Sequence, residues 1–404
     1  MNSNKTPAII LSGGSEIISI SLAEELLFYN IPLIVISLGK KSIIRDISNV
    51  IAYVQIDWPP NNTEATVRQL IEFIKKISAK NNVRYPTFAT EDSGLRFLLE
   101  HYEKLSDFMI ISASQKLKMG GLDKAELFEH LLSGGLGKYI ASTVTLNRPD
   151  DLFGAFDKLG MDLVVKPALK PYSMILNIGK KGEKVINRKN SESDRELINR
   201  LSSAWNISDR WVAQKKLDNS GNEACWWGHR TKNGKIVGIT AYEIWKYPRY
   251  GGTGCWVKLS QIDDLHKPAH MILNNINYIG LAEMPFLKDY NGNWRLLELN
   301  PRPWLQVALP ARAGLPLAYL TYCDFLNISE NANYSLNLNS EFNWVNAERL
   351  IMAATSGDYG GKIKTFLKSL KILIKSDCKI VYDSPFYVVK IRWIIRMIQK
   401  ILKK

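Results

Sequence analysis

Only four of the 404 residues are cysteine, at positions 225, 255, 323 and 378, and none stands in CxxC spacing. Neither a zinc site nor a disulfide framework follows from them, and a reducing cytosol is the simplest setting. Long apolar runs are missing as well. No stretch reaches the roughly 18 consecutive apolar residues of a spanning helix, and the start, MNSNKTPAIILSGG, lacks the pattern of a secretory leader. Gly13 and Gly14 lack the third glycine of a GxGxxG turn, and no Ser-His-Asp or catalytic-cysteine arrangement is legible. What is present is ordinary for a folded protein: 46% hydrophobic and 23% charged residues, enough for two or three packed domains.

Acidic residues are scarce in one place. From Gly361 to Lys404 there are twelve Lys and Arg against Asp377 and Asp383, so this tail carries +10 of the net +14. The body is nearly balanced, which gives no reason to expect a nucleic-acid partner.

Residues 1–113 alternate short apolar runs (Ala8–Leu11, Ile31–Ser37, Val50–Ile56) with helical periodicity such as Glu64–Ile77, which predicts a parallel α/β layer. Its Ser12–Ser15 turn opens a helix and either cradles a phosphate or, more simply, is a glycine-assisted turn. Residues 114–210 form a second unit with a helix at Asp123–Leu132 and the strand Leu163–Lys166, stopped by Pro167. Residues 211–330 read as antiparallel strands, a helix at Leu265–Ile276 and a hairpin with arms Leu281–Lys288 and Trp294–Asn300. Residues 331–404 end in two basic helices.

The hairpin carries the chemistry. Alternation along Trp294–Asn300 puts Glu298 and Asn300 on one face, Leu297 and Leu299 on the other, and Arg302 just beyond the end. A carboxylate and an amide oxygen so spaced suit Mg2+, and an adjacent arginine suits a carboxylate or phosphoryl group. The competing account is a strand end closed by a proline turn. Upstream, Lys166 ends an apolar strand, where an ammonium group needs an anion such as a nucleotide phosphate. Lys124 follows a glycine-rich loop at the start of a helix. Gln214 ends the strand of Trp211-Val-Ala-Gln-Lys-Lys-Leu217, where it and the following backbone can meet an adenine edge. Each lysine is alternatively a solvated surface group, and Gln214 an ordinary strand-end residue.

Taken in order, the α/β layer, VVKP, AQKKL and AEMPFLKDYNGNWRLLELNPRPW resemble the ATP-grasp superfamily of carboxylate-amine ligases over residues 8–330. The phrases KYPRYGGTG (246–254), LLELNPRPW and ALPARAG (308–314) look most like the group that includes bacterial D-aspartate ligase. The resemblance implies α/β and α+β units, with ATP lying between two α+β lobes. It implies phosphate-binding roles for Lys124 and Lys166, an adenine site at Gln214, Lys216 and Leu217, Mg2+ on Glu298 and Asn300, and an acyl phosphate held by Arg302. The activity implied is amide formation from a carboxylate and an amine through that acyl phosphate. The sequence departs from the pattern twice. Pro285 stands where a glutamate is usual, leaving Glu283 or Asp289 as substitutes. The phosphate loop Ala168–Ser173 is poor in glycine, leaving Lys170 and Ser173 for the work of backbone amides.

Lys246 and Arg249, in a loop rich in tyrosine and glycine, are clamps for an anionic substrate or else part of a surface turn. Of the adjacent Trp226 and Trp227, one is expected in the core and the other stacked on a sugar. In Lys390–Lys404, isoleucines at helical spacing flanked by cations predict a helix lying on an anionic membrane surface, the alternative being a terminal helix packed on the body. The reading is thus a ligase acting on small molecules. These are an amino acid and a cell-wall or polysaccharide precursor, met in the cytoplasm or at the inner face of the membrane. A phosphotransferase, or a membrane-associated nucleotide-binding protein weakened by Pro285, are the rivals.

Overall fold

The computed structural model describes residues 5–78, 83–172, 186–187, 192–217, 223–249, 251–329, 334, 342–376, 390–392 and 394–395. Three sheets account for most of the strands among them.

The first is parallel, in the spatial order Val50–Ile56, Leu33–Leu38, Ala8–Ser12, Tyr85–Ala89, Met109–Ile110. Its central strands are apolar and buried along their whole length because helices Glu16–Phe28, Thr63–Ile77 and Asp92–Glu100 cover the sheet. The second is antiparallel, in the order Thr143–Leu146, Trp211–Lys215, Leu163–Pro167, Ile186–Asn187. Helices Asp151–Leu159 and Asp194–Ala204 close one face around Leu152, Leu197, Leu201 and Trp211. The strand Trp211–Lys215, grouped on the sequence with the third unit, belongs to this second sheet.

The third sheet runs Trp294–Leu296, Tyr278–Lys288, Glu223–Arg230, Ile236–Tyr247, Thr253–Leu259, Asn343–Val345, and Ala113–Ser114 also pairs with Tyr278–Ile279. One face packs Trp226, Met284 and Phe286 on helix His266–Asn275. On the other face Cys225 and Trp227 share a core with Ile10 and Val35 of the first sheet and with Tyr322 of helix Leu317–Phe325. That shared core fixes the first sheet against the third. Helices Ala347–Ser356 and Lys362–Lys375 lie over its far end, beside Trp245 and Cys255.

Both tryptophans at 226 and 227 are fully buried, on opposite faces of their strand. Trp227 stacks on Trp304 with centroids 5.4 Å apart, so it is not free to stack on a sugar. Cys225, Cys255 and Cys323 are buried and unpaired; Cys378 lies outside the described residues, as does the strand expected at Ile175–Ile178.

Candidate functional site

Glu283 and Glu298, the carboxylates expected to hold Mg2+, sit where the hairpin ladder slips. Phe286 pairs with Leu296, and the Leu297 N–H donates to the Pro285 carbonyl at 2.9 Å. Glu283 and Asn300 then exchange backbone hydrogen bonds of 3.1 and 2.9 Å. Three residues on one arm therefore answer two on the other, a bulge at Glu298–Leu299. Alternation fails there: Leu299 enters the core with Leu296 and Met284, whereas Leu297 packs with Ala141, Leu217 and Leu287.

The bulge brings Glu283 opposite Asn300. The Asn300 amide donates to Glu283 Oε2 at 3.0 Å, and Trp227 Nε1 donates to Oε1 at 3.2 Å. The slip makes up for part of the strand rise that separates Glu283 from position 285. Asp289 plays no part here: its carboxylate accepts from the Asn291 and Asn293 amides and pairs with Arg295 at 2.7 Å, building the turn.

Three lysines converge on Glu298. Lys124 opens helix Lys124–Ser133, which Asp123 caps by accepting from the Ala125 and Glu126 amides, and its ammonium lies 3.6 Å from Glu298 Oε2. Lys166, on the adjacent strand, donates to the Leu297 carbonyl at 2.9 Å. Lys170 follows on the next loop and pairs with Asp92. Burial pushes the Glu298 carboxyl up, but the ammonium groups of Lys170, Lys124 and Lys166 outweigh it and hold the group at about 2. Burial lowers Lys124 and brings Lys166 down to about 8. Glu283, desolvated, is raised to about 8.

Asp92 ties the units together. It opens helix Asp92–Glu100 in the first unit, where a helix N-terminus favours a carboxylate, and accepts from both Arg302 and Lys170. Despite burial, the Arg302 and Lys170 charges hold its carboxyl well below the usual range. Sequence reasoning missed it. The available signal was an acidic pair, Glu91-Asp92, just past the carboxyl end of a parallel strand, where open α/β sheets place ligands. Glu91 itself accepts from the backbone of Gly14 and Ser15, so the glycine turn holds a carboxylate of its own chain.

The remaining predicted residues divide. Gln214 is buried and donates to Thr143 Oγ1 at 3.0 Å. Lys216 extends to Asp162 at 3.3 Å, and its N–H donates to the Asp162 carbonyl. Leu217 lies in the apolar cluster of Ala141, Leu287 and Leu297. Lys246 is drawn toward the sheet by Glu223 and Glu243, two carboxylates facing each other across paired strands and also missed on the sequence. Arg249 is exposed, donates to the Asp358 carbonyl and stacks at 5.1 Å on Tyr359, whose hydroxyl bonds the Lys246 backbone. The two cations thus have different partners, Lys246 the Glu223 and Glu243 carboxylates and Arg249 the Asp358 carbonyl. Ser173 lies outside the described residues.

The sequence matches no known family profile and no curated protein. Solved structures do match. The ADP complex of an N5-carboxyaminoimidazole ribonucleotide synthetase aligns with a TM-score of 0.63 at 14% identity, over 93% of this chain and 88% of the other. A biotin carboxylase from Campylobacter jejuni aligns at 0.64 and 13% identity, over 86% and 76%. An L-amino acid ligase from Bacillus licheniformis aligns at 0.60 and 14%, over 83% and 78%. The fold is ATP-grasp. At these identities the likeness is one of fold, and the chemistry has to be argued from the side chains.

Proposed function

We propose that the chain is an ATP- and Mg2+-dependent ligase that joins a carboxylate to an amine and releases ADP and phosphate. The observation that carries the reading is the convergence of Lys124, Lys166 and Lys170 on Glu298, closed on the far side by Asp92 and Arg302. Three desolvated ammonium groups around one carboxylate are an excess of positive charge that a polyphosphate completes. Glu298, Asn300 and Glu283 make an oxygen donor set suited to Mg2+. Leu217, in the apolar cluster with Ala141 and Leu287, and Gln214 on the neighbouring strand are the side chains proposed to meet an adenine ring.

ATP held there supplies the phosphoryl group that converts the carboxylate to an acyl phosphate, and Mg2+ spreads the charge that builds up. The protein's share is to grip phosphate oxygens with the three lysines, to steady the acyl phosphate with Arg302, and to meet an anionic substrate with Lys246. Three of the phrases quoted above favour a ligase akin to D-aspartate ligase. One substrate is then an amino acid, and the other a cell-envelope precursor or surface polysaccharide reached at the inner face of the cell membrane. Glu283 beside Asn300 argues against the rival of a protein weakened by Pro285.

Incubation with ATP, Mg2+ and pools of amino acids or uronic-acid sugars tests the proposal. ADP and phosphate should form only with the right carboxylate and an amine. AMP and pyrophosphate would overturn the reading, and a phosphorylated product without an amide would turn it into a phosphotransferase.

A further inference from the structure

Helix Lys362–Lys375 turns Thr365, Ser369, Ile372 and Leu373 toward the body and leaves a second apolar stripe to solvent. Thr365 and Ser369 are the buried side chains, and Thr365 Oγ1 donates to the Ala354 carbonyl at 2.6 Å. Ile363, Leu367 and Ile374 are 79%, 55% and 77% exposed, and Phe366 and Leu370 are exposed beside them. At about 100° per residue these five fall on one stripe, with Lys364, Lys371 and Lys375 along one flank. The 14 residues contain no acid. Lys368 lies 5.4 Å from the ring centres of both Trp245 and Trp256, which helps fix the helix in this orientation.

Leaving such a stripe in water forgoes its burial energy, so it calls for an apolar partner. A second copy docking helix to helix would bring two rows of lysine together and is disfavoured by charge. A lipid surface with anionic headgroups satisfies both features at once: acyl chains take the stripe and headgroups take the lysines. No described helix is long and apolar enough to cross a membrane, so the contact is with its surface. The described part of the terminal segment is tied down instead, since Arg392 pairs with Asp46 and donates to the Ile43 carbonyl at 3.0 Å.

We infer that helix Lys362–Lys375, rather than the terminal segment, seats the protein on a membrane surface bearing anionic lipid. Ile363, Phe366, Leu367, Leu370 and Ile374 enter the interface. The inference stands whether or not the ligase reading does.

Flotation of the full chain with vesicles tests it. The protein should float with phosphatidylcholine vesicles that contain phosphatidylglycerol, not with phosphatidylcholine alone, and should be released at about 1 M salt, where screening is nearly complete. Leu367→Glu with Ile374→Glu should cut binding at least about tenfold at an unchanged unfolding temperature. Lys364→Gln with Lys371→Gln and Lys375→Gln should remove the salt dependence, and Ile394→Glu with Ile395→Glu should leave binding intact. The inference is overturned by a wild type that does not float, or by helix variants that bind like wild type. Binding lost only in the Ile394/Ile395 variant, or a dimer that Leu367→Glu splits, would overturn it too.

Discussion

The Arg302 guanidinium and the Asp92 carboxylate, 210 residues apart in the chain, form a buried ion pair that Lys170 joins from the second unit. A single carboxylate thus holds the arginine at the end of the metal-type hairpin and the lysine of the phosphate-type loop in fixed relation. Neither cation is spent on a structural partner elsewhere among the described contacts, apart from an Arg302 donation to the neighbouring Pro303 carbonyl.

Asp92→Asn should destabilise the protein by about 3 kcal/mol, because it strands two buried cations. The sign of its pH dependence follows from the depressed carboxyl. The stabilisation is present above the unfolded value near 4 and is lost progressively as pH falls toward the lower folded value. Denaturant unfolding at neutral pH should show the gap between variant and wild type, and the gap should narrow in acid. A constant gap would mean that Asp92 acts through packing alone.

Glu298→Ala should lower ADP formation at least about 100-fold, the scale on which removal of one preorganised charge acts. Binding of ATP without divalent metal should persist, since the variant frees Lys124 from its carboxylate partner and removes a negative charge that Lys166 and Lys170 also feel. Calorimetry with and without Mg2+ separates the two effects. Full turnover in the variant would remove Glu298 from the metal site.

Lys166 gives a proton-linked signature. Burial lowers its ammonium from 10.5 to about 8, so between those values the unfolded chain binds more protons than the folded one and stability rises with pH. A polyphosphate restores the charge, so ATP binding near pH 8 should take up about half a proton. Binding heats in buffers of different ionisation enthalpy read this directly. Lys166→Met should abolish the uptake, and an uptake unchanged in that variant would assign it to another group.

Much of the fold was written in local pattern. The parallel strands were legible as unbroken apolar runs, the hairpin by its two apolar arms, and Pro167 as a strand stop, because each depends on neighbours within a few residues. Lys124, Lys166, Glu298, Asn300 and Arg302 stood out as candidates for the same reason: each stands at the end of a periodic segment, where a polar group has no local use.

What escaped was everything that depends on two segments meeting. Residue types and spacings by themselves determined the apolar strands of the first sheet, the hairpin, and which charged residues at segment ends were candidates for a site. Tertiary packing alone decided that Glu283 faces Asn300, that Trp227 is buried, that Arg249 rests on Tyr359, and that Asp92 pairs with Arg302 and Lys170. It also decided which face of Lys362–Lys375 meets solvent. The physical reason is that side-chain direction along one strand or helix is set by its own geometry, whereas a bulge, a stacked indole or a desolvated ion pair is set by what the partner segment brings to the other side.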